Sequence, residues 1–206
     1  MTTSGQSYPY RDANPNTSHA YLLPRLAKIL EGLRATRVFE VGCGNGAVAN
    51  WLHGRGIEVT GVDASESGIR QAALAYPRLR LAVGSAYDDL ADEYGRFPVV
   101  ISLEVVEHLY SPRAFAKTLF DLLDPGGTAI VSTPYHGYFK NLALAATGRL
   151  DAHFTALWDG GHIKFWSERT LRLLLEETGF RSVAFCRVGR VPILAKSMIA
   201  TAKKPI

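Results

Sequence analysis

The run Val38-Phe39-Glu40-Val41-Gly42-Cys43-Gly44-Asn45-Gly46-Ala47 sets a short apolar segment directly before three closely spaced glycines. Val38 to Val41 reads as a buried strand and Ala47 to Arg55 as the helix that follows it. The glycines between them lack a Cβ, so the backbone can take positive φ and come close to a ligand. Strand, glycine turn and helix together make the first unit of a nucleotide-binding α/β sheet.

The glycine spacing alone leaves the ligand open. Gly42-x-Gly44-x-x-Ala47 suits a dinucleotide, and Gly42-x-Gly44-x-Gly46 suits S-adenosylmethionine (SAM). Glu40 helps to separate the two. A carboxylate just before the first glycine repels a pyrophosphate and suits a ligand whose nearby end carries an ammonium group. The next strand, Glu58 to Asp63, ends in an acid about 20 residues after the first glycine, the separation at which a carboxylate can accept hydrogen bonds from the ribose hydroxyls of an adenosine. Helix capping is the other role open to Asp63, because Asp63 and Ser65 both precede a helical run from about Glu66 to Tyr76.

The 206 residues suffice for one α/β domain with a sizeable core, and 47% hydrophobic with 20% charged residues is ordinary for a soluble globular protein. The net charge is +4, with basic residues scattered apart from Lys203-Lys204, which argues only weakly for an anionic partner. Cys43 and Cys186 have no metal-type spacing, and a reduced, cytoplasmic setting is expected. No signal-peptide layout opens the chain, and no apolar run reaches the roughly 18 residues that a membrane span needs.

Residues 1–18 read as a loose arm, followed by a helix from His19 to Leu33 with an apolar stripe that includes Leu22, Leu26 and Leu30. Residues 1–35 would form this arm and capping helix, and 36–206 the main domain. The arm either closes over the cofactor or simply caps the fold. Leu79 to Val83 reads as the third strand, and the loop after it, Gly84 to Asp88, would lie beside an adenine. Phe97 to Leu103 is a central strand, and it runs directly into Glu104-Val105-Val106-Glu107-His108-Leu109 at the edge where such sheets place their chemistry. Ser111-Pro112 starts a helix to about Leu123, Asp124-Pro125-Gly126-Gly127 turns the chain, and Thr128 to Thr133 is the fifth strand. The aromatic stretch Pro134 to Trp166 breaks the pattern and suits a lid or acceptor-binding insert. Ser167 starts a helix that Gly179 stops, and Val183 to Val188 with Ser197 to Ala202 form a last hairpin.

Glu40-x-Gly42-x-Gly44-x-Gly46, Gly61-Val62-Asp63, the Glu104-to-Leu109 segment and Pro125-Gly126-Gly127 together resemble the Rossmann-like (class I) SAM-dependent methyltransferases, and within them the ubiquinone-biosynthesis O-methyltransferase type. The resemblance covers roughly Thr36 to Lys204 and implies an α/β fold. Its seven-stranded, mostly parallel sheet would carry helices on both faces and an antiparallel last strand. It implies that Glu40, Gly42 and Gly44 meet the methionine end of SAM, Asp63 the ribose, and Ser85 and Ala86 the adenine. Cys43, Asn45, Gly46, Ala64 and Leu103 complete the expected cofactor set. Many members carry an acid where Ser85 stands.

Glu104-x-x-Glu107-His108 suggests a second site. If a helical turn begins at Glu104, Glu107 and His108 share its face, and two carboxylates with an imidazole could hold Mg2+ or another divalent cation. His162 offers a further ligand. The same combination resembles residues that bind a divalent metal in the ubiquinone type and in small-RNA 2′-O-methyltransferases. Without a metal, His108 is the candidate general base, with Glu107 beside it; His136, His153 and His19 are weaker candidates, and His53 reads as a surface residue.

The expected reaction moves the SAM methyl to a hydroxyl oxygen of a small aromatic or lipid-like acceptor, with peripheral membrane contact through the insert and Val191 to Leu194. The alternatives are an RNA 2′-O-methyltransferase, opposed by the scattered basic residues; an NAD-dependent oxidoreductase, opposed by Glu40; and a non-catalytic SAM-binding module. DNA is not an expected partner, and the oligomeric state is left open.

Overall fold

The computed structural model describes residues 9–206. Seven strands form one sheet in the order β3-β2-β1-β4-β5-β7-β6, where β1 is Arg37–Val41, β2 Glu58–Asp63, β3 Arg80–Val83, β4 Phe97–Leu103, β5 Leu123–Pro134, β6 Arg181–Val188 and β7 Ser197–Lys203. β1 to β5 pair in parallel, while β7 runs antiparallel to both β5 and β6. The order reverses at β1 and β4, whose carboxyl ends lie side by side and open the crevice where such sheets bind ligands.

Alternation along the strands sorts the core into two layers. Phe39 and Val41 of β1 face one way, with Val100 of β4 and Val131 of β5, and pack against Phe115 and Leu119 of α5 (Pro112–Asp121) and Leu171 and Leu175 of α8 (Glu168–Thr178). Val38 faces the other way with Ile101 and Ile130, against Leu22, Leu26 and Leu30 of α1 (His19–Leu33) and Leu52 of α2 (Ala47–His53). Both faces are covered, which is why the central strands read as unbroken apolar runs. Glu40 falls on the α1–α2 side by the same alternation.

Three segments differ from the sequence reading. β5 begins at Leu123, paired with Phe97, and a register shift before Val99–Thr128 lets Asp124 to Gly127 bulge out, so the expected turn lies inside the strand. The insert contains two short helices, α6 (Tyr138–Ala146) and α7 (Leu150–Phe154); the exposed Tyr138, Phe139 and Leu142 hide the helical period that would have announced α6. The arm is anchored from residue 10 onward, its backbone bonded to Ser67, Asn45 and Tyr76. Residues 1–8 lie outside the described residues.

Phe39 is fully buried, with the rings of Phe97 and of Tyr94, in α4 (Leu90–Tyr94), 5.0 and 5.3 Å from its own. Phe39→Ala is expected to lower the unfolding free energy by about 3–5 kcal/mol, read as an earlier urea midpoint at constant m.

Candidate active site

The glycine turn is built by positive φ at Gly42 (82°), Gly44 (53°) and Gly46 (76°). A Cβ on Gly42 would overlap the Val105 side chain, and one on Gly44 would overlap the Tyr10 ring, so both positions are closed to larger residues by space as well as by conformation. The turn is pinned to the second strand. The N–H groups of Gly42 and Cys43 both donate to Val62 O, and Gly44 N–H donates to Asp63 Oδ2 at 2.7 Å. Asp63 Oδ1 accepts from Ser65 N at 2.7 Å, while the Ser65 hydroxyl caps the following helix, α3 (Glu66–Ala75), by accepting from Gly68 N. The capping role therefore falls to Ser65. Asp63 is left at the mouth of the crevice with lone pairs beyond its two backbone bonds; burial holds its carboxyl above the ordinary range.

Glu40 lies under the turn at 1% exposure, with no hydrogen-bond partner for Oε2. Burial, reinforced by the nearby Asp63 charge, raises its carboxyl to about 8. The Cys43 thiol is buried and pushed further up by burial and by the same two carboxylates, so it stays neutral. Asn45 turns its amide outward from the loop to hold the arm, donating to Asp12 O and Asn14 O at 2.9 and 3.0 Å. Ser85 sits in a turn closed by Asp88, whose carboxylate accepts from Ser85 N at 2.7 Å; Ala86 packs partly buried beside it. Ala64 is exposed after Asp63, and Leu103 is buried at the end of β4.

Beyond Leu103 the chain takes a left-handed step at Glu104, φ 55°, and the 3-10 turn begins only at Val106. The expected helical turn from Glu104 is thus absent, and its carboxylate parts from those that follow. Glu104 Oε1 accepts from Ser132 at 2.8 Å and Oε2 from Ser197 at 3.1 Å. Glu107, His108 and His162 do converge, with one ligand atom from each lying within 4.8 Å of the others. Two backbone bonds from Ile163 N and Lys164 N to Glu107 O, and one from the Trp166 indole to Val106 O, fasten the insert's return to the turn and bring His162 there.

The electrostatics of this cluster follow from burial. Glu107 is fully buried, with His162 Nε2 4.0 Å from Oε1 and no hydrogen bond of normal length to either carboxylate oxygen; desolvation, then Glu104, holds it well above the ordinary range against a smaller opposing pull from the Thr133 side chain. His108 Nδ1 faces two carbonyl oxygens, Gly160 at 3.0 Å and Gly161 at 3.2 Å. Carbonyls only accept, so Nδ1 carries the proton and Nε2 keeps its lone pair. Burial lowers His108, and burial with the adjacent His108 lowers His162 to about 4, so both rings are neutral near pH 7. A carboxylate with two neutral imidazoles is a donor set that suits a divalent metal. His136 is instead enclosed by the rings of His153, Phe154 and Phe165, His19 is half-buried on α1, and His53 is exposed. The supports that sequence reading missed are Ser132 and Ser197, because strand serines carry no signal until the strands pair.

The methyltransferase-domain family profile matches residues 16–184. Among curated proteins, a ubiquinone biosynthesis O-methyltransferase of Caulobacter sp. (strain K31) is 39% identical over 132 residues, 62% of this chain and 50% of that protein. The chain spans about half the length of the curated relatives it matches. Among solved structures, the PH0226 protein of Pyrococcus horikoshii OT3 superposes with a TM-score of 0.73 at 22% identity, covering 95% of this chain and 94% of that one. The methyltransferase domain of a bacterial protein, CtHen1-CN, superposes at 0.67 with 25% identity, covering 91% and 100%. Strand order, glycine turn and the family match agree: the chain belongs to the Rossmann-like SAM-dependent methyltransferases.

Proposed function

We propose that this methyltransferase acts on a hydroxyl oxygen of a small aromatic or lipid-like acceptor, with a divalent cation held by Glu107, His108 and His162. The observation that carries the reading is that two buried carboxylates have unpaired oxygens, Glu40 near the end of β1 before the glycines and Glu107 just after the adjacent β4. Unpaired buried carboxylates are costly and are retained where a ligand completes them. The names of the curated relatives support oxygen as the methyl acceptor.

In this reading Glu40 pairs with the methionine ammonium, and Gly42 and Gly44 let the backbone lie against it. Asp63, preset by Gly44 N–H and Ser65 N–H, takes the ribose hydroxyls. Ser85 and Ala86 border the adenine; Ser85 Oγ accepts from Tyr87 N at 3.1 Å and keeps its own proton to donate. Bound SAM supplies an electrophilic methyl on its sulfonium, so the chain's own task is alignment and proton removal. A cation at Glu107, His108 and His162 would lower the pKa of the acceptor hydroxyl. Without a cation, the bare Nε2 of His108 is instead the base for that proton. The insert, 134–166, borders the acceptor. Tyr138, Phe139, Val191 and Ile193 are exposed on α6 and the 3-10 turn Pro192–Leu194 that packs beside it, and they form the face for an apolar tail or a membrane surface.

Calorimetric titration is expected to give heat with S-adenosylhomocysteine and none with NAD, the reverse sinking the cofactor reading. Glu40→Gln should weaken S-adenosylhomocysteine binding at least about tenfold. The same variant tests the raised carboxyl. Protonated Glu40 is favoured in the ligand-free fold, so its contribution is full below about pH 4.5 and is lost as pH rises through about 8. The wild-type melting temperature should therefore fall relative to the variant across that window; parallel profiles would contradict it. Chelation with EDTA, and Glu107→Gln, should each cut kcat roughly a hundredfold without altering S-adenosylhomocysteine affinity, and full turnover after chelation removes the cation. Anionic liposomes should carry the protein in flotation and lose it with Phe139→Asp; no flotation removes the membrane contact.

A further inference from the structure

Glu104, His162 and Ser197 line a cavity of about 450 Å3 whose remaining walls are rich in positive charge. Lys140 comes from α6, Arg149 from the position just before α7, and Arg190 and Lys196 from the connection between β6 and β7. Segments distant in sequence thus deliver four cations to one space. Among the described residues none of the four is ion-paired, whereas Arg113, Lys117, Arg172 and Arg187 all bridge to carboxylates elsewhere. Lys140 Nζ donates to Tyr135 O at 2.7 Å, and Lys196 lies over the Tyr21 ring at 5.3 Å. Glu104 is the one carboxylate in the lining, and both its oxygens already accept from serine hydroxyls.

Gathering like charges around a partly desolvated space is unfavourable without a counter-charge. Lys140 is the buried member: burial first, and then Arg190, bring its ammonium down to about 8 even though Glu104 pulls the other way, while Arg149, Arg190 and Lys196 are exposed. His162 lines the same cavity, so a molecule filling it would touch both the proposed chemistry and the cations.

We infer that the methyl acceptor carries an anionic group, a carboxylate or a phosphate, held by Lys140, Arg149 and Arg190 while its hydroxyl points toward His162. The hydroxyl end rests on the proposed methyl transfer; the anion end rests on the cavity alone. Guanidinium and ammonium groups recognise both oxyanions by charge-assisted hydrogen bonds, and Arg149 and Arg190 can do so bidentately.

The test titrates the S-adenosylhomocysteine-saturated full chain with benzoate, phenyl phosphate and uncharged benzamide. At least one anion should bind about tenfold tighter than benzamide, and the tighter of the two identifies the group. That preference should shrink with added salt in the wild type, and Arg149→Gln with Arg190→Gln should abolish it while leaving benzamide unchanged. Equal binding of all three, no binding at millimolar concentration, or a preference indifferent to salt overturns the inference. A parallel turnover assay compares protocatechuate with catechol. Equal kcat/KM for the two overturns the anion site while leaving methyl transfer intact. Anion binding with no methylated product from any hydroxylated acceptor supports the anion site and sinks the transfer reading.

Discussion

The hydrogen bond from Gly44 N–H to the Asp63 carboxylate, 2.7 Å long, holds the site together. It locks the turn after β1 to the end of β2, and it works only because the glycines take positive φ and leave Asp63 in reach. The bonds from Gly42 and Cys43 to Val62 O repeat the constraint one residue earlier. On the other side, the buried Ser102 hydroxyl donates to Val41 O and joins the end of β1 to β4. The crevice is therefore fixed on both flanks before any ligand enters, which is the preorganisation that a positioning enzyme requires.

The same edge concentrates unfavourable charge. Glu40, Glu104 and Glu107 are all raised, each chiefly by burial. They differ in how they are satisfied. Glu104 is met by two serine hydroxyls from β5 and β7, so it behaves as a structural brace between the antiparallel strand and the parallel body. Glu40 keeps one oxygen, and Glu107 both, without a partner. That contrast separates a carboxylate completed by the fold from carboxylates that the fold leaves uncompleted.

Much of this was legible in the chain. Glu40, the three glycines and Asp63 lie within or just after apolar runs whose period and length leave one reading, and the structure returns β2 and β4 with the expected bounds. The cluster was partly legible: Glu107 and His108 are sequence neighbours, but Glu104 was expected with them on a helical face. The left-handed step at Glu104 removes it, a backbone choice that depends on the space beside Ser132 and is invisible in a side-chain pattern. The arm reads as loose in the sequence because its turn formers carry no apolar period; its anchors are two hydrogen bonds from Asn45 and one each with Ser67 and Tyr76.

Local rules, then, determined the strand–glycine–helix unit, the acid at the end of the second strand and the strand count, since each depends on residues within a few positions of one another. Only the tertiary structure decided which carboxylates keep unpaired oxygens, that His162 stands beside Glu107, and that Lys140, Arg149 and Arg190 share a cavity. Those residues come from a strand, a 3-10 turn, a helix and loops whose spacing in the chain is unrelated to their spacing in the fold, and no periodicity links them. Burial and the pairing of β5 with β7 bring them together, and both exist only once the sheet has closed over its core.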